Sequence, residues 1–546
     1  MRMGTAVDVA PASVPRNSIT VSAWTLVSRV TGFARVAVIA AALGPTYFGN
    51  TFQAINQLPN LAFYGLLMGS LFSSLLVPSL VRQLDAHDRD GLERVAGAFL
   101  GLVTLAFVAV AALGAAAGPL LLRVFAVGVE DPSIASAQRR VGWLLLLMVL
   151  PQVLLYGLAN TAAAVMNAHR RFALASAAPA LENLGMIATL GASVWLFGTG
   201  TAVERVPPGQ LLLLGFGSTA AVGVHAAAQW LGAWRLGVRL VPRAGWRDPE
   251  VRQLIRRLLP SLGYGWLNML RWFAVLVAAN HLPGGVVAFQ LALNFYSLPL
   301  VLGAQPVALA LLPELSRQFQ RHELRRFRDE LTRGVALAGF LTTPAAVAYL
   351  VLAVPLARVA AFGEMATASG VALVAVALAA LAPGVVGESR FLVELQGSYA
   401  CHDARSPVRS MALCASLVLA GTVAALALPA GAGVLLVLGL AYSAGGLAAA
   451  VDLSRRVQRS LPPSLERVAP ALLRALAASA LMAGPAYLAA AAAAGWAQGR
   501  LGSVLELAVA SGVGAGLYLA LQRLWRSPEL RSLLGAVRAR AGPAVQ

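Results

Sequence analysis

The chain has 546 residues, of which 58% are hydrophobic and only 12% charged, against about 25% charge in a water-soluble protein. All 42 basic residues are arginine and the formal net charge is +19, a balance that could suggest binding to a phosphate backbone. The arginines, however, cluster in short segments between apolar stretches of about 20 residues or more, the length that a bilayer core demands. The composition therefore predicts an all-α polytopic membrane protein and excludes a nucleic-acid partner.

Residues 1–18, with Asp8, Pro11, Pro15 and Arg16, lack the charged-then-apolar pattern of a signal peptide and read as a cytoplasmic tail. The first span, 20–43, carries Arg29 and Arg35 inside its apolar run. Further spans follow at 51–81, 93–121, 141–166, 173–198 and 209–236, with Glu182 inside the fifth. Spans at 254–281, 286–316, 334–357, 367–400, 407–428 and 432–453 come next. Arg271 lies in the first of these, and Glu388, Arg390 and Glu394 lie in the fourth. Two more, at 468–494 and 501–522, bring the expectation to about fourteen helices. Every second loop is basic, from Arg82/Arg89 through Arg170/Arg171 to Arg455/Arg456/Arg459, while alternate loops such as Gly44–Asn50 and Leu282–Gly285 are nearly uncharged. The basic loops and both termini are expected in the cytoplasm.

The chain repeats itself. Leu75-Leu-Val-Pro-Ser-Leu-Val-Arg-Gln-Leu84 resembles Ala310-Leu-Leu-Pro-Glu-Leu-Ser-Arg-Gln-Phe319, about 235 residues on. At nearly the same offset, Met166-Asn-Ala-His-Arg-Arg-Phe172 resembles Tyr399-Ala-Cys-His-Asp-Ala-Arg405. The expected organisation is a six-helix N-lobe over 19–240 and a six-helix C-lobe over 241–460. Two added helices within 461–524 and a cytoplasmic tail at 525–546 complete it. Bundles duplicated in this way commonly bind substrate between the repeats, near the midplane.

No catalytic or cofactor motif stands out. Gly215-Phe-Gly-Ser-Thr-Ala220 mimics a dinucleotide fingerprint but lies inside a span with no preceding strand. Like Gly512-Val-Gly-Ala-Gly516, it reads as a small-residue packing surface. The six histidines show no metal-ligand spacing, and Cys401 and Cys414 do not suggest a structural disulfide. An enzyme is not expected, nor is a bound metal or cofactor.

The charges within spans carry the functional information, because a centrally placed charge costs roughly 2.5–3.5 kcal/mol on insertion scales. Arg29 lies about 12 Å and Arg35 about 20 Å into the first helix, pointing about 120° apart. One reading lets Arg29 snorkel, or pairs both with backbone carbonyls. The other places both in a wet cavity, where planar guanidinium forks hold an anionic group. Arg271 is either a further substrate contact or a partner for Glu182. Arg390 and Glu394, spaced i,i+4, can neutralise one another, which leaves Glu388 without a partner and so a functional candidate.

Several stretches together resemble the MurJ (MviN) lipid II flippases of the multidrug/oligosaccharidyl-lipid/polysaccharide exporter superfamily. They are Ser28-Arg-Val-Thr-Gly-Phe-Ala-Arg35, Leu58-Pro-Asn60 with Val77-Pro78, Asn167-Ala-His-Arg-Arg-Phe172 with Ala178-Pro179, Trp246-Arg-Asp-Pro249, Leu312-Pro-Glu-Leu-Ser-Arg317 and Tyr399-Ala-Cys-His-Asp-Ala-Arg-Ser-Pro-Val-Arg409. The resemblance implies fourteen helices, two lobes around a central cationic cavity and a groove formed by the last two helices. The sequence departs from the family where Val36 and Asn50 replace acidic residues and where Ala62, Phe63 and Tyr64 occupy the neighbourhood of paired arginines. It departs again where Val275-Leu276 and Leu293-Asn294 replace aspartate–arginine pairs.

The resulting expectation is a flippase in the bacterial inner membrane that moves an undecaprenyl-diphosphate-linked glycan, foremost lipid II, to the outer leaflet for peptidoglycan synthesis. Its substrate contacts would be Arg29, Arg35, Arg271 and Arg390. Glu182, Glu388 and Glu394 would serve ion coupling or pairing, with the driving force either the membrane potential or a monovalent ion. Two alternatives stay open: a cation-coupled drug exporter of the same superfamily, and a non-transporting membrane partner of cell-wall synthesis or division proteins. Membrane lipids are partners in every case.

Overall fold

The computed structural model describes residues 13–67, 69–244, 249–463, 468–496 and 499–541, with side chains described at 21, 23–63, 76–244, 262–463, 468–496 and 499–535. The tail at 1–12 and most of the Trp246-Arg-Asp-Pro249 motif lie outside the described residues. Nineteen α-helices follow one another among those described. They are α1 (Ser13–Leu43), α2 (Tyr47–Leu67), α3 (Gly69–Asp85), α4 (Arg89–Phe125), α5 (Pro132–Val149), α6 (Gln152–Ala168), α7 (Phe172–Phe197) and α8 (Pro208–Arg235). Next come α9 (Pro249–Ala279), α10 (Gly285–Pro299), α11 (Gln305–Gln320), α12 (Leu324–Val351), α13 (Ala353–Ala360) and α14 (Ala368–Ala400). The chain ends with α15 (Arg405–Leu426), α16 (Ala432–Arg459), α17 (Val468–Ala493), α18 (Gly499–Leu524) and α19 (Pro528–Ala541). Thirteen helical stretches among the described residues are long and apolar enough to cross a membrane.

Proline accounts for several departures from the predicted spans. A proline removes one backbone donor and crowds the preceding turn, so long apolar runs bend where they contain one. The span expected at 141–166 divides into α5 and α6 on either side of Leu150-Pro151. The span expected at 286–316 contains a π-helical turn, Leu300–Ala304, between Pro299 and Pro306. The span expected at 51–81 is helical on both sides of residue 68, as α2 and α3, and each of them contains a proline, Pro59 and Pro78. The C-terminal tail includes a further short helix, α19.

The four corners that carry the repeated sequence share one backbone geometry. His87 and His322 end α3 and α11, and Arg170 and His402 end α6 and α14, all with φ between 55° and 58°. Each corner closes with two hydrogen bonds back to the helix it leaves, such as Arg171 N to Met166 O at 2.8 Å and Asp403 N to Ser398 O at 2.9 Å. This is the left-handed ending that satisfies the last carbonyls of a helix. At the α14–α15 corner Asp403 Oδ1 also accepts from Arg405 N and Ser406 N at 2.9 and 3.1 Å, starting the next helix. Burial works to raise the Asp403 carboxyl, but the hydrogen bonds from Ser406 and Arg405 hold it below the usual carboxylate range.

Large apolar cores form within α9–α16 and within α2–α8, and the second half of α1 contributes Val36, Ala37 and Ala40 to the first of these. A polar network joins the two groups of helices at the C-terminal end of α1. Asn50 Nδ2 donates to Asn280 Oδ1 (3.1 Å) and Leu282 O (2.8 Å), while its Oδ1 accepts from Val286 N (3.0 Å). Asn280, fully buried, exchanges hydrogen bonds with Gln138 and donates to Phe125 O at 3.0 Å. His281 beside it presents Nδ1 to Gly128 O and Nε2 to Leu428 O, the latter at 2.9 Å. An ionised acid at position 50 could not donate to these oxygens, which gives the asparagine there a physical reason. Asn280→Leu leaves partners of Asn50, Gln138 and Phe125 unsatisfied. It is expected to lower stability by about 1–3 kcal/mol, read as a reduced thermal midpoint of the purified protein.

The last two membrane helices, α17 and α18, pack on each other and on α12. Tyr518 on α18 donates to Phe340 O at 2.8 Å. Between these three helices lies an apolar recess of about 320 Å³ whose lining includes Pro344, Val351, Met482 and Ala486.

Candidate functional site

A polar cavity of about 520 Å³ opens between α1, α2, α6, α7, α8 and α10. The middle of α1 supplies Ser28, Arg29, Phe33 and Arg35 to its wall, α2 supplies Gln57 and Asn60, and α10 supplies Gln290, Asn294 and Ser297. Asn183 on α7 holds α1 in place by donating to Ser28 O and Thr31 Oγ1, both at 3.2 Å. Arg29 and Arg35 therefore reach the same space despite their different directions on the helix. The α10 wall is uncharged, and Gln57 Nε2 bridges to Gln290 Oε1 across the cavity at 2.6 Å.

Glu182 is the counter-charge in this cavity. Only 7% exposed, it accepts from Arg35 Nη1 at 3.2 Å and Tyr156 Oη at 2.9 Å on one oxygen, and faces His225 Nδ1 at 2.9 Å on the other. Arg35 keeps a buried Nε with no hydrogen-bond partner. Arg29 has no acidic partner among the described residues. Among the described residues one carboxylate thus answers two guanidinium groups, and the exposed Arg29 keeps its donors on the cavity wall. That arrangement can receive an oxyanion, for which an arginine fork is geometrically suited.

Arg271 is placed elsewhere. It is 3% exposed, sits between α9, α14, α15 and α16, and does not line the cavity. Its Nη2 donates to Asn268 Oδ1 at 2.8 Å, its Nη1 to Cys414 Sγ at 3.3 Å, and its guanidinium carbon lies 4.4 Å from the centre of the Tyr442 ring. Its acidic partner is Glu388, at 3.7 Å. Two sequence expectations are corrected here: Arg271 does not pair with Glu182, and Glu388 is not left over. The helices bring Glu182 to Arg35 and Glu388 to Arg271, pairings between residues more than 100 positions apart that local spacing cannot reveal.

Arg390 and Glu394 do form the expected i,i+4 pair, Nε to Oε1 at 3.0 Å, and Arg390 Nη2 also donates to Ser454 Oγ on α16. Glu388 turns toward α9 instead, so the three charges of α14 divide into two separate clusters. Of the four arginines expected at the substrate, the structure brings Arg29 and Arg35 together, while Arg271 and Arg390 lie apart from them. Cys401 and Cys414 are both free thiols. No group of three or more histidine, cysteine, aspartate or glutamate residues among those described could hold a metal ion.

The family profile of the lipid II flippase MurJ matches residues 39–506. The chain belongs to that family. A probable lipid II flippase MurJ of Rhizobium tropici is 27% identical over 402 residues, covering 73% of each chain. The lipid II flippase MurJ of Burkholderia cenocepacia is 25% identical over 406 residues, covering 72% of this chain and 75% of the relative. Among solved structures, a lipid II flippase MurJ in an inward closed conformation superposes with a TM-score of 0.70 at 16% identity, covering 94% of this chain and all of the other. An inward-facing MATE-family multidrug resistance transporter of the MOP superfamily superposes with a TM-score of 0.61 at 14% identity, over 81% of this chain and 98% of the other. The fold is accordingly the all-helical flippase and MATE fold. As a member of the MurJ family the protein is a transporter of the bacterial inner membrane and not an enzyme.

Within this MurJ-family chain, the residues that sequence reasoning missed are His225, Tyr156 and the amides Gln290 and Asn294. Metal-ligand spacing, the usual pattern that marks histidines in a sequence, passes over a lone imidazole facing a carboxylate. The available signal was a histidine inside an apolar span, a placement that calls for a polar partner.

Proposed function

We propose that this protein carries lipid II, a polyprenyl-diphosphate-linked glycan, from the cytoplasmic to the outer leaflet, with Arg29 and Arg35 receiving the diphosphate. The observation that supports this reading most directly is the unbalanced charge of the cavity, two arginines against Glu182, with Arg35 Nε unpartnered. An ionised group cannot enter hydrocarbon without replacement of its hydration, and guanidinium donors fixed in a wet cavity supply that replacement. The apolar recess among α12, α17 and α18 suits the lipid tail, which stays in the bilayer while the headgroup crosses.

The shared corner geometry supports the division into an N-lobe over 19–240 and a C-lobe over 241–460 that rock against each other. In this reading both termini are cytoplasmic, the cavity opens toward the cytoplasm, and the Asn50–Asn280 network closes the outer end. Cysteine labelling in a background lacking Cys401 and Cys414 checks the orientation. Positions between 235 and 244 are expected to react from the cytoplasm, and positions in the 282–285 turn from outside. An extracellular C-terminus would overturn it. Transport itself is tested by headgroup accessibility of lipid II in vesicles reconstituted with the purified protein. Flipping no faster than in protein-free vesicles would count against the proposal and favour a non-transporting role.

A further inference from the structure

The proton balance of the cavity goes beyond the transport reading but rests on it. Among the described residues four charged or titratable groups other than tyrosine line the space: Arg29 and Arg35 on α1, Glu182 on α7 and His225 on α8. Tyr156 on α6 is the remaining group facing Glu182, and the described residues of α2 and α10 contribute only neutral amides, a hydroxyl and apolar side chains. With a neutral imidazole the empty cavity carries one net positive charge. A diphosphate joined at both ends to carbon carries two negative charges, so loading it turns the cavity net negative by one.

That surplus falls on Glu182. A phosphate that engages the Arg35 fork draws on the guanidinium that now donates to Glu182 at 3.2 Å. The carboxylate, 7% exposed, then keeps only Tyr156 and His225 as donors, both at 2.9 Å. An unbalanced charge in so dry a position is costly. His225 is placed to cancel it: Nδ1 faces Glu182 Oε2, and the ring lines the cavity through which water reaches it. In the neutral ring Nδ1–H donates to the carboxylate and Nε2 is a free base; protonated, both nitrogens are donors.

We infer that headgroup binding is coupled to uptake of one proton by His225, which replaces Arg35 as the cation beside Glu182. The proton comes from water on the side to which the cavity opens and adds to Nε2, and no bond other than this N–H is formed. When the headgroup leaves, Arg35 returns to Glu182 and the proton departs. Each crossing then moves the diphosphate with one of its two charges compensated by a proton.

The test is equilibrium binding of a water-soluble, short-chain prenyl diphosphoryl-N-acetylglucosamine to the full-length protein. The pH is varied from about 5.5 to about 8, where imidazoles change charge. Affinity is expected to rise as pH falls, by up to about tenfold per pH unit, the slope of one linked proton. Titrations in buffers of different ionisation enthalpy are expected to register uptake of about one proton per headgroup. His225→Gln retains a donor toward Glu182 but cannot take a proton, so it is expected to bind with an affinity independent of pH. A flat profile in the unaltered protein, or an unchanged slope in His225→Gln, overturns the inference and leaves the cavity as the headgroup site. No binding at any pH overturns the headgroup reading itself, and this inference with it. If His225→Gln does not fold, the proton count of the unaltered protein decides: near one supports the inference, near zero overturns it.

Discussion

Arg35→Ala is expected to abolish lipid II flipping in reconstituted vesicles and to weaken headgroup binding by about 100-fold or more, the scale of losing a desolvated charge-assisted pair. The substitution has a second consequence, because Arg35 is also the cation beside Glu182. Leaving a buried carboxylate without its cation costs about 3–5 kcal/mol where both charges are fully buried. The Arg35 side chain keeps 21% exposure, and Tyr156 and His225 remain as donors, so the cost belongs at the low end of that range. Arg35→Ala combined with Glu182→Gln separates the two effects. The double variant is expected to recover thermal stability and not to recover flipping. Normal flipping by Arg35→Ala would remove this residue from the substrate site. Arg29 is less constrained, since no described acidic residue holds it. Arg29→Lys preserves charge without the fork and is expected to flip at a reduced rate.

Arg271→Ala is expected to have the opposite signature. Its guanidinium is enclosed by Asn268, Glu388, Cys414 and the Tyr442 ring, and reaches no part of the cavity. Its loss strands Glu388 and opens a void among four helices, which together cost about 3–5 kcal/mol. Thermal unfolding of the purified variant is expected to show that loss, while headgroup affinity of the folded fraction stays unchanged. Arg271→Met with Glu388→Gln removes both charges and keeps most of the volume, so it is expected to regain much of the stability. A fall in affinity at normal stability would instead bring Arg271 to the substrate. The same comparison applies to Arg390, which Glu394 and Ser454 already hold.

The sequence by itself determined the class of molecule. Bilayer thickness and the helical rise set the length of an apolar span, so composition and spacing found the membrane segments, although the span expected at 334–357 begins ten residues earlier, at Leu324. The four repeated corners were also legible, because a left-handed turn after a helix is a local event formed by residues next to one another. Arg390 and Glu394 could be paired from their spacing for the same reason. The tertiary structure alone decided which long-range charges meet. Arg35 and Glu182 are 147 residues apart, and nothing in either segment distinguishes Glu182 from Glu388 as a partner for Arg35 or Arg271. That choice follows from α1 packing against α7, and from α9 lying beside α15 and α16 near α14. It also decided the partner of His225, whose place in an apolar helix calls for a polar neighbour without naming one, by setting the ring against Glu182. A buried charge is stabilised by whichever opposite charge or donor the packing brings within a few ångströms, and that proximity arises only once the helices have assembled.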